Sequence, residues 1–246
     1  MVRRERVMRA SVVGLLLTAC GSSEERAQAD SPVDSGGPGV EAASPTADAN
    51  GATTDANGDE GFEPFFDGQT LDGFELVGIT ASDVTIEDGA LKCSCVPNGY
   101  LYRNETFRNF ILRVSFRFER PAGLASGADD TFTGNSGYFV YLTPPHEVWP
   151  RCLEVQGSYL ETGDIFGLPG LLEVNDTPNF ASIQSARRPV GEWNDLVVTS
   201  EEGALTVELN GVPVNTSPAG ELREGLIALE SEGAEVHWRD VMIKRL

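Results

Sequence analysis

The chain has 246 residues, with 18 Lys and Arg against 38 Asp and Glu, a formal net charge of −20 at pH 7. That balance excludes nucleic acid as the expected partner, because binding it needs clustered Lys and Arg. Neutral or cationic ligands suit it better, although such charge also serves solubility alone.

In chain order, the first element reads as an export signal. Arg3, Arg4, Arg6 and Arg9 precede an apolar run from Ala10 to Leu17, then Leu17-Thr18-Ala19-Cys20. A basic start, a short apolar stretch and small residues before a cleavage point describe a secretory signal over residues 1–19. The run is far shorter than the roughly 20 apolar residues of a spanning helix. Leu-Thr-Ala-Cys resembles the bacterial lipobox, which implies acylation of Cys20, a lipid anchor as the only membrane contact, and an extracytoplasmic place in the bacterial envelope.

Residues 20–61 read as a tether. From Gly21 to Gly61 no aromatic residue occurs, and nine acids accompany one base, Arg26. Such a composition buries too little apolar surface to offset chain entropy, so disorder is expected. A flexible coil of this length spans about 35 Å. Asp55-Ala56-Asn57-Gly58-Asp59 imitates the start of an EF-hand loop, but Glu60 and Phe66 stand where Gly and Glu are needed.

Residues 62–246 hold 13 bases against 28 acids and are long enough for one substantial core. Their hydrophobic period is two. Phe110, Leu112, Val114, Phe116 and Phe118 alternate with Ile111, Arg113, Ser115 and Arg117, the pattern of a half-buried strand. Leu205, Val207 and Leu209 alternate before Asn210-Gly211, and Val212 and Val214 resume the pattern, a hairpin signal. Further strand-like runs are Val84–Leu91, Gly137–Leu142, Leu153–Ser158, Asp195–Thr199, Leu226–Glu230 and Val236–Ile243. No helix longer than two turns is visible, so the expected class is all-β, a sandwich or barrel. Export makes a disulfide plausible. Cys93 and Cys95, two apart on one expected strand, would strain a mutual bond, so Cys152 is expected to pair with Cys93 or Cys95.

Six segments occurring in order carry a family resemblance. They are Phe65-Phe66-Asp67-Gly68-Gln69-Thr70-Leu71-Asp72-Gly73-Phe74, Gly134-Asn135-Ser136-Gly137, Glu154-Val155-Gln156, Gly191-Glu192-Trp193-Asn194, Leu209-Asn210-Gly211 and His237-Trp238-Arg239-Asp240-Val241. Together they resemble the 3-keto-disaccharide hydrolase domain family. The resemblance implies a concanavalin A-like jelly-roll sandwich of two antiparallel sheets with a carbohydrate groove on its concave sheet. It also implies, for some members, cleavage of glycosides already oxidised at C3. The C3 ketone acidifies the C2 proton, a base removes it, and the substituent on C1 leaves. The alternatives are a carbohydrate-binding domain without catalysis and a structural or adhesion module, since fold does not settle function.

Glu154 and Gln156 share one face of their strand, opposite Leu153 and Val155. They are the expected base and oxyanion donor, or else part of a polar ladder. Asn135 and Ser136, between two glycines, are expected substrate contacts or a tight turn. Relatives often carry Arg where Tyr141 stands, so Tyr141 is expected as an aromatic platform on the face of Asn135, Gly137 and Phe139. Arg113 and Arg117 are candidates to orient an anionic enolate or are ordinary surface cations. Asp164 is a candidate second acid or a turn residue. Glu230 and Glu232 are expected in a loop bordering the groove, and His146 in a Pro-rich loop above it. Trp193 and Trp238 fit core packing better than stacking on a ligand. No cofactor is evident; a metal motif is not visible, and a divalent metal is not excluded.

Overall fold

The computed structural model describes residues 60–170 and 172–246. The expected signal, Cys20, and the tether up to residue 59 lie outside the described residues.

The described chain forms fourteen strands: β1 (Glu63–Pro64), β2 (Phe74–Val77), β3 (Val84–Glu87), β4 (Ala90–Cys93), β5 (Gly99–Arg103), β6 (Phe110–Phe118), β7 (Gly137–Thr143), β8 (Arg151–Gln156), β9 (Ile165–Leu168), β10 (Asn194–Glu201), β11 (Ala204–Leu209), β12 (Val212–Ser217), β13 (Leu226–Ser231) and β14 (Val236–Arg245). One two-turn helix, α1 (Phe180–Ala186), is capped by Asn179, whose side chain accepts from the Ser182 N–H. The larger sheet runs β12-β11-β10-β6-β14-β4-β3, with β1 added against β14. The smaller runs β2-β5-β13-β7-β8-β9, and the strand pairs in both sheets are antiparallel.

Alternation explains the larger sheet. On β6 the five apolar residues are at most 2% exposed, while Ile111, Arg113, Ser115 and Arg117 are half-buried on the other side. Burying each of those side chains contributes roughly 1.5–3 kcal/mol. Asn210 and Gly211 have φ of 51° and 78° and close the β11–β12 hairpin at Leu209 and Val212, as a type I′ turn requires. The Val84–Leu91 run is two strands, because Asp88 and Gly89 take positive φ and fold it into a hairpin.

The smaller sheet is apolar on both faces. Leu101, Tyr138, Val140, Leu153, Val155, Ile227 and Leu229 enter the core between the sheets. Tyr100, Tyr102, Phe139, Leu142, Cys152, Leu168, Leu226 and Ala228 form a second cluster on the outer face. Burial on both sides is why β13 reads as a continuous buried run.

The expected disulfide is corrected. Cys93, Cys95 and Cys152 are free thiols. Cys93 and Cys95 belong to the core between the sheets, and Cys152 to the outer cluster, so the smaller sheet stands between them. Cys95 also lies beyond β4 at φ 57°, with its N–H 3.2 Å from Cys93 Sγ, rather than one strand period further on.

Candidate functional site

The outer face of the smaller sheet gathers most of the chain's unusual polar chemistry. Strand period sends Glu154 and Gln156 of β8 outward, and Glu230 of β13 likewise. Glu154 pairs with Phe139, and Gln156 with Gly137. Glu230 pairs with Tyr100, while Ala228 pairs with both Tyr102 and Phe139. Gly137 is therefore the gap in the row. A β-carbon there would stand 2.4 Å from Glu230 Oε2 and 2.9 Å from Glu154 Oε1. Its absence lets the two carboxyl groups converge above β7.

Glu154 is 5% exposed and Glu230 1%. Burial first, then the charge of Glu232, pushes the Glu154 carboxyl up to about 8; the Glu230 hydrogen bond opposes this and Asp164 adds to it. Burial, followed by the charges of Glu154 and Glu232, pushes Glu230 well above the carboxylate range. Burial raises Glu232 as well. Apart from each other, Glu154 Oε1 and both Glu230 oxygens find no partner in the protein. Two carboxylates so placed cannot both ionise, and one proton held between them satisfies both. The pair then offers one group to take a proton and one to give it. Cys152 is held as a neutral thiol by burial and by the charges of the same two residues.

Seven buried side-chain polar atoms among the described residues lack a hydrogen-bond partner. Six of them lie on this face or its rim: Tyr100 Oη, Asn135 Oδ1, His146 Nε2, Glu154 Oε1 and the two oxygens of Glu230. The seventh, Trp238 Nε1, is in the main core. Native folds leave few buried polar groups unpaired, so this concentration marks the face as the candidate site.

The flanking groups are held in place. Asn135 Nδ2 donates to Glu232 Oε2 at 2.5 Å. Gln156 Oε1 accepts from the Ser158 N–H at 2.7 Å, which turns its NH2 end the other way. Asp164 is 2% exposed, its carbonyl accepts from the Gln156 N–H, and its charge acts on Glu154.

Other expected site residues lie elsewhere. Tyr141 does not line the face. It has φ 56° at a β7 bulge, where the register shifts against both β8 and β13. The extra residue reverses the alternation and sends the ring into the core, with its hydroxyl 2.5 Å from Ser200 Oγ. Ser136 points away from the site and donates to the Glu230 carbonyl at 2.9 Å, fastening β7 to β13. Arg113 and Arg117 belong to β6, in the other sheet. Arg113 stacks 3.8 Å from the Phe62 ring, and Arg117 lies 5.0 Å from the Trp193 ring and donates to His237 Nδ1. No cation from that strand reaches the carboxylate pair. Trp238 is fully buried as expected, whereas Trp193 is half-buried between Arg117 and Arg239.

Two donor sets bear on a metal. Glu119, Glu235 and His237 have ligand atoms within 4.8 Å of one another. His237 accepts from Arg117 at Nδ1 and thus donates to Glu235 from Nε2, which leaves the ring no lone pair for a metal. The oxygens of Glu154 and Glu230, which meet over Gly137, are of the kind that holds a hard cation, in competition with the proton of the pair. Two surface cavities, of about 370 Å³ beside Gly134, Gly233 and Glu235 and about 210 Å³ beside Asp129, Tyr159 and Arg187, do not include Glu154 or Glu230. The pair is buried, whereas Asn135 and Glu232 beside it are half-buried.

Glu230, the last residue of the expected Leu226–Glu230 strand, lies within β13 rather than in a border loop, and Tyr100 on β5 is a residue of the face that is not among the expected site residues. The signal for both was period two: Tyr100 and Tyr102 alternate with Leu101, and Glu230 with Leu229.

A family model described as the 3-keto-alpha-glucoside-1,2-lyase-like domain matches residues 61–244. Two structures of candidate glycosyl hydrolases from Parabacteroides distasonis are similar to the chain, each with a TM-score of 0.55. One is 18% identical and covers 76% of this chain and 94% of its own; the other is 19% identical and covers 75% and 99%. The carbohydrate-binding module CBM66 from Bacillus subtilis has a TM-score of 0.51 at 11% identity, covering 70% of this chain and 95% of its own. These likenesses show the jelly-roll sandwich. No curated protein sequence matches the chain.

Proposed function

The chain belongs to the 3-keto-alpha-glucoside-1,2-lyase-like domain family, and from that premise we propose that it is a carbohydrate-active lipoprotein that cleaves 3-keto-glycosides. Glu154 takes the C2 proton, the electron pair forms the C1–C2 double bond, and the C1–O bond breaks. The departing oxygen receives a proton from Glu230. Water then adds to the unsaturated ring to give the free 3-keto sugar. At or above about pH 8, where Glu154 has given up its proton and Glu230 keeps its own, the pair begins with one proton and ends with one, displaced from one carboxyl to the other, so the count closes without another donor.

The single observation that supports this reading is the buried pair of carboxyl groups, with Glu154 held near 8. A base is most effective when its pKa lies near the working pH. Gln156 and Asn135 serve as polar orienters. The ordinary route, with carboxylates set about 5–9.5 Å apart across a glycosidic bond, is not needed once a ketone acidifies C2.

Incubation with 3-keto-trehalose is the test. Release of glucose, abolished in Glu154→Gln, upholds the reading; saturable binding with no release replaces it with a non-catalytic sugar-binding domain. The anchor is tested separately: labelled palmitate enters the wild-type chain in a bacterial host and not Cys20→Ala, and labelling of neither removes the lipoprotein assignment.

A further inference from the structure

Glu75, Tyr102 and His146 form a hydrogen-bonded chain at the far end of the same face. Glu75 on β2 pairs with Tyr102 on β5. The Tyr102 hydroxyl lies 2.6 Å from Glu75 Oε2 and 2.7 Å from His146 Nδ1. The imidazole stands edge-on to the phenol ring, with centroids 4.7 Å apart and planes at 74°.

The protons on this chain can be counted. A carboxylate only accepts, so the single phenolic proton goes to Glu75. Burial, with the Glu75 hydrogen bond, pushes the Tyr102 hydroxyl up to about 12, so it keeps that proton through the neutral range. His146 must then donate to the phenol oxygen through Nδ1–H. A neutral imidazole carries one N–H, which leaves Nε2 as a lone-pair acceptor. That nitrogen is buried and has no partner in the protein, and an acceptor left so is costly until a donor arrives.

Along its row Tyr102 is followed by Ala228, Phe139 and Glu154. Three strand spacings of about 4.8 Å each separate the backbones of Tyr102 and Glu154, farther than one sugar ring spans. We propose that His146 Nε2, fixed as an acceptor by Tyr102 and Glu75, receives a hydroxyl of the second sugar ring, the one that departs when the C1–O bond breaks. The identity of this ligand rests on the function proposed above; the relay does not.

The chain has two histidines, and His237, whose Nδ1 accepts from Arg117, is the internal control. Long-range 1H–15N spectra of the full chain at neutral pH should show His146 as the Nδ1–H form and His237 as the Nε2–H form, with Tyr102→Phe returning His146 to a mixture. Titration with trehalose should move the His146 Nε2 resonance saturably and leave His237 unmoved. In turnover of 3-keto-trehalose, His146→Leu should raise KM about tenfold with kcat within about twofold. An aryl 3-keto-glucoside, which has no second sugar, should show no such rise. An Nε2–H form at His146, no response to trehalose, or equal KM changes for both substrates overturns the inference. Absence of wild-type turnover sinks the function reading instead, and the trehalose titration then decides the subsite.

Discussion

Glu154 on β8 and Glu230 on β13 meet above the bare backbone of Gly137, where a β-carbon would be 2.9 Å from one carboxyl oxygen and 2.4 Å from the other. The two strands that flank β7 thus bring together two acids that the chain keeps far apart, in a place nearly closed to water. Such a pair behaves as one titrating unit.

The two acids have different tasks, and the leaving group separates them. With an aryl 3-keto-glucoside, whose phenolate departs without help, Glu230→Gln should lose less than about tenfold in kcat while Glu154→Gln loses about 10²–10⁴. With a 3-keto-disaccharide both should fall by that larger factor. Equal losses with both substrates would remove the assignment of Glu230 as the acid.

The raised carboxyls make stability depend on pH in a stated direction. Unfolded Glu ionises near its ordinary value, whereas the folded pair keeps its proton up to about 8 at Glu154. Between these limits the folded state binds more protons, so stability is full below the unfolded pKa and falls as pH rises toward 8. Glu230→Gln removes the share of the penalty that Glu230 itself carries, while burial still raises Glu154. Thermal melts should show this variant more stable than wild type at pH 8, by on the order of a few kcal/mol, with the difference shrinking toward pH 4.5.

Gly137→Ala should force the pair apart. Overpacking of this kind costs about 1–3 kcal/mol. Freed from the Glu154 charge, Glu230 should titrate closer to the ordinary range in 13C spectra of the Glu side chains, and turnover should fall with the separation. An unchanged titration would mean that the two groups do not meet over this residue.

Tyr141→Phe should leave sugar binding and turnover unchanged. It removes a buried hydroxyl that joins Ser200, which in turn donates to the Arg108 carbonyl at 2.5 Å. The expected loss is about 1 kcal/mol of stability, read as a lower melting temperature. Weaker sugar binding would place the ring on the outer face after all.

Much of the scaffold was legible along the chain. The alternation of β6, the Asn210-Gly211 turn and the outward direction of Glu154 and Gln156 follow from the two-residue period, a local property of extended backbone. The short edge strands Phe74–Val77 and Ile165–Leu168 were missed, because neither carries enough alternating residues to stand out.

By itself the sequence determined the all-β class, the family, and which side of its own strand each of Glu154 and Gln156 occupies. Tertiary structure alone decided that Glu230 is the partner of Glu154, that Tyr141 turns inward at a bulge, that Arg113 and Arg117 serve the other sheet, and that Cys152 is walled off from Cys93 and Cys95. The physical reason is the range of the interactions. Side-chain alternation is set by neighbouring backbone dihedrals, whereas strand order, register and bulges are set by packing between segments distant in the chain.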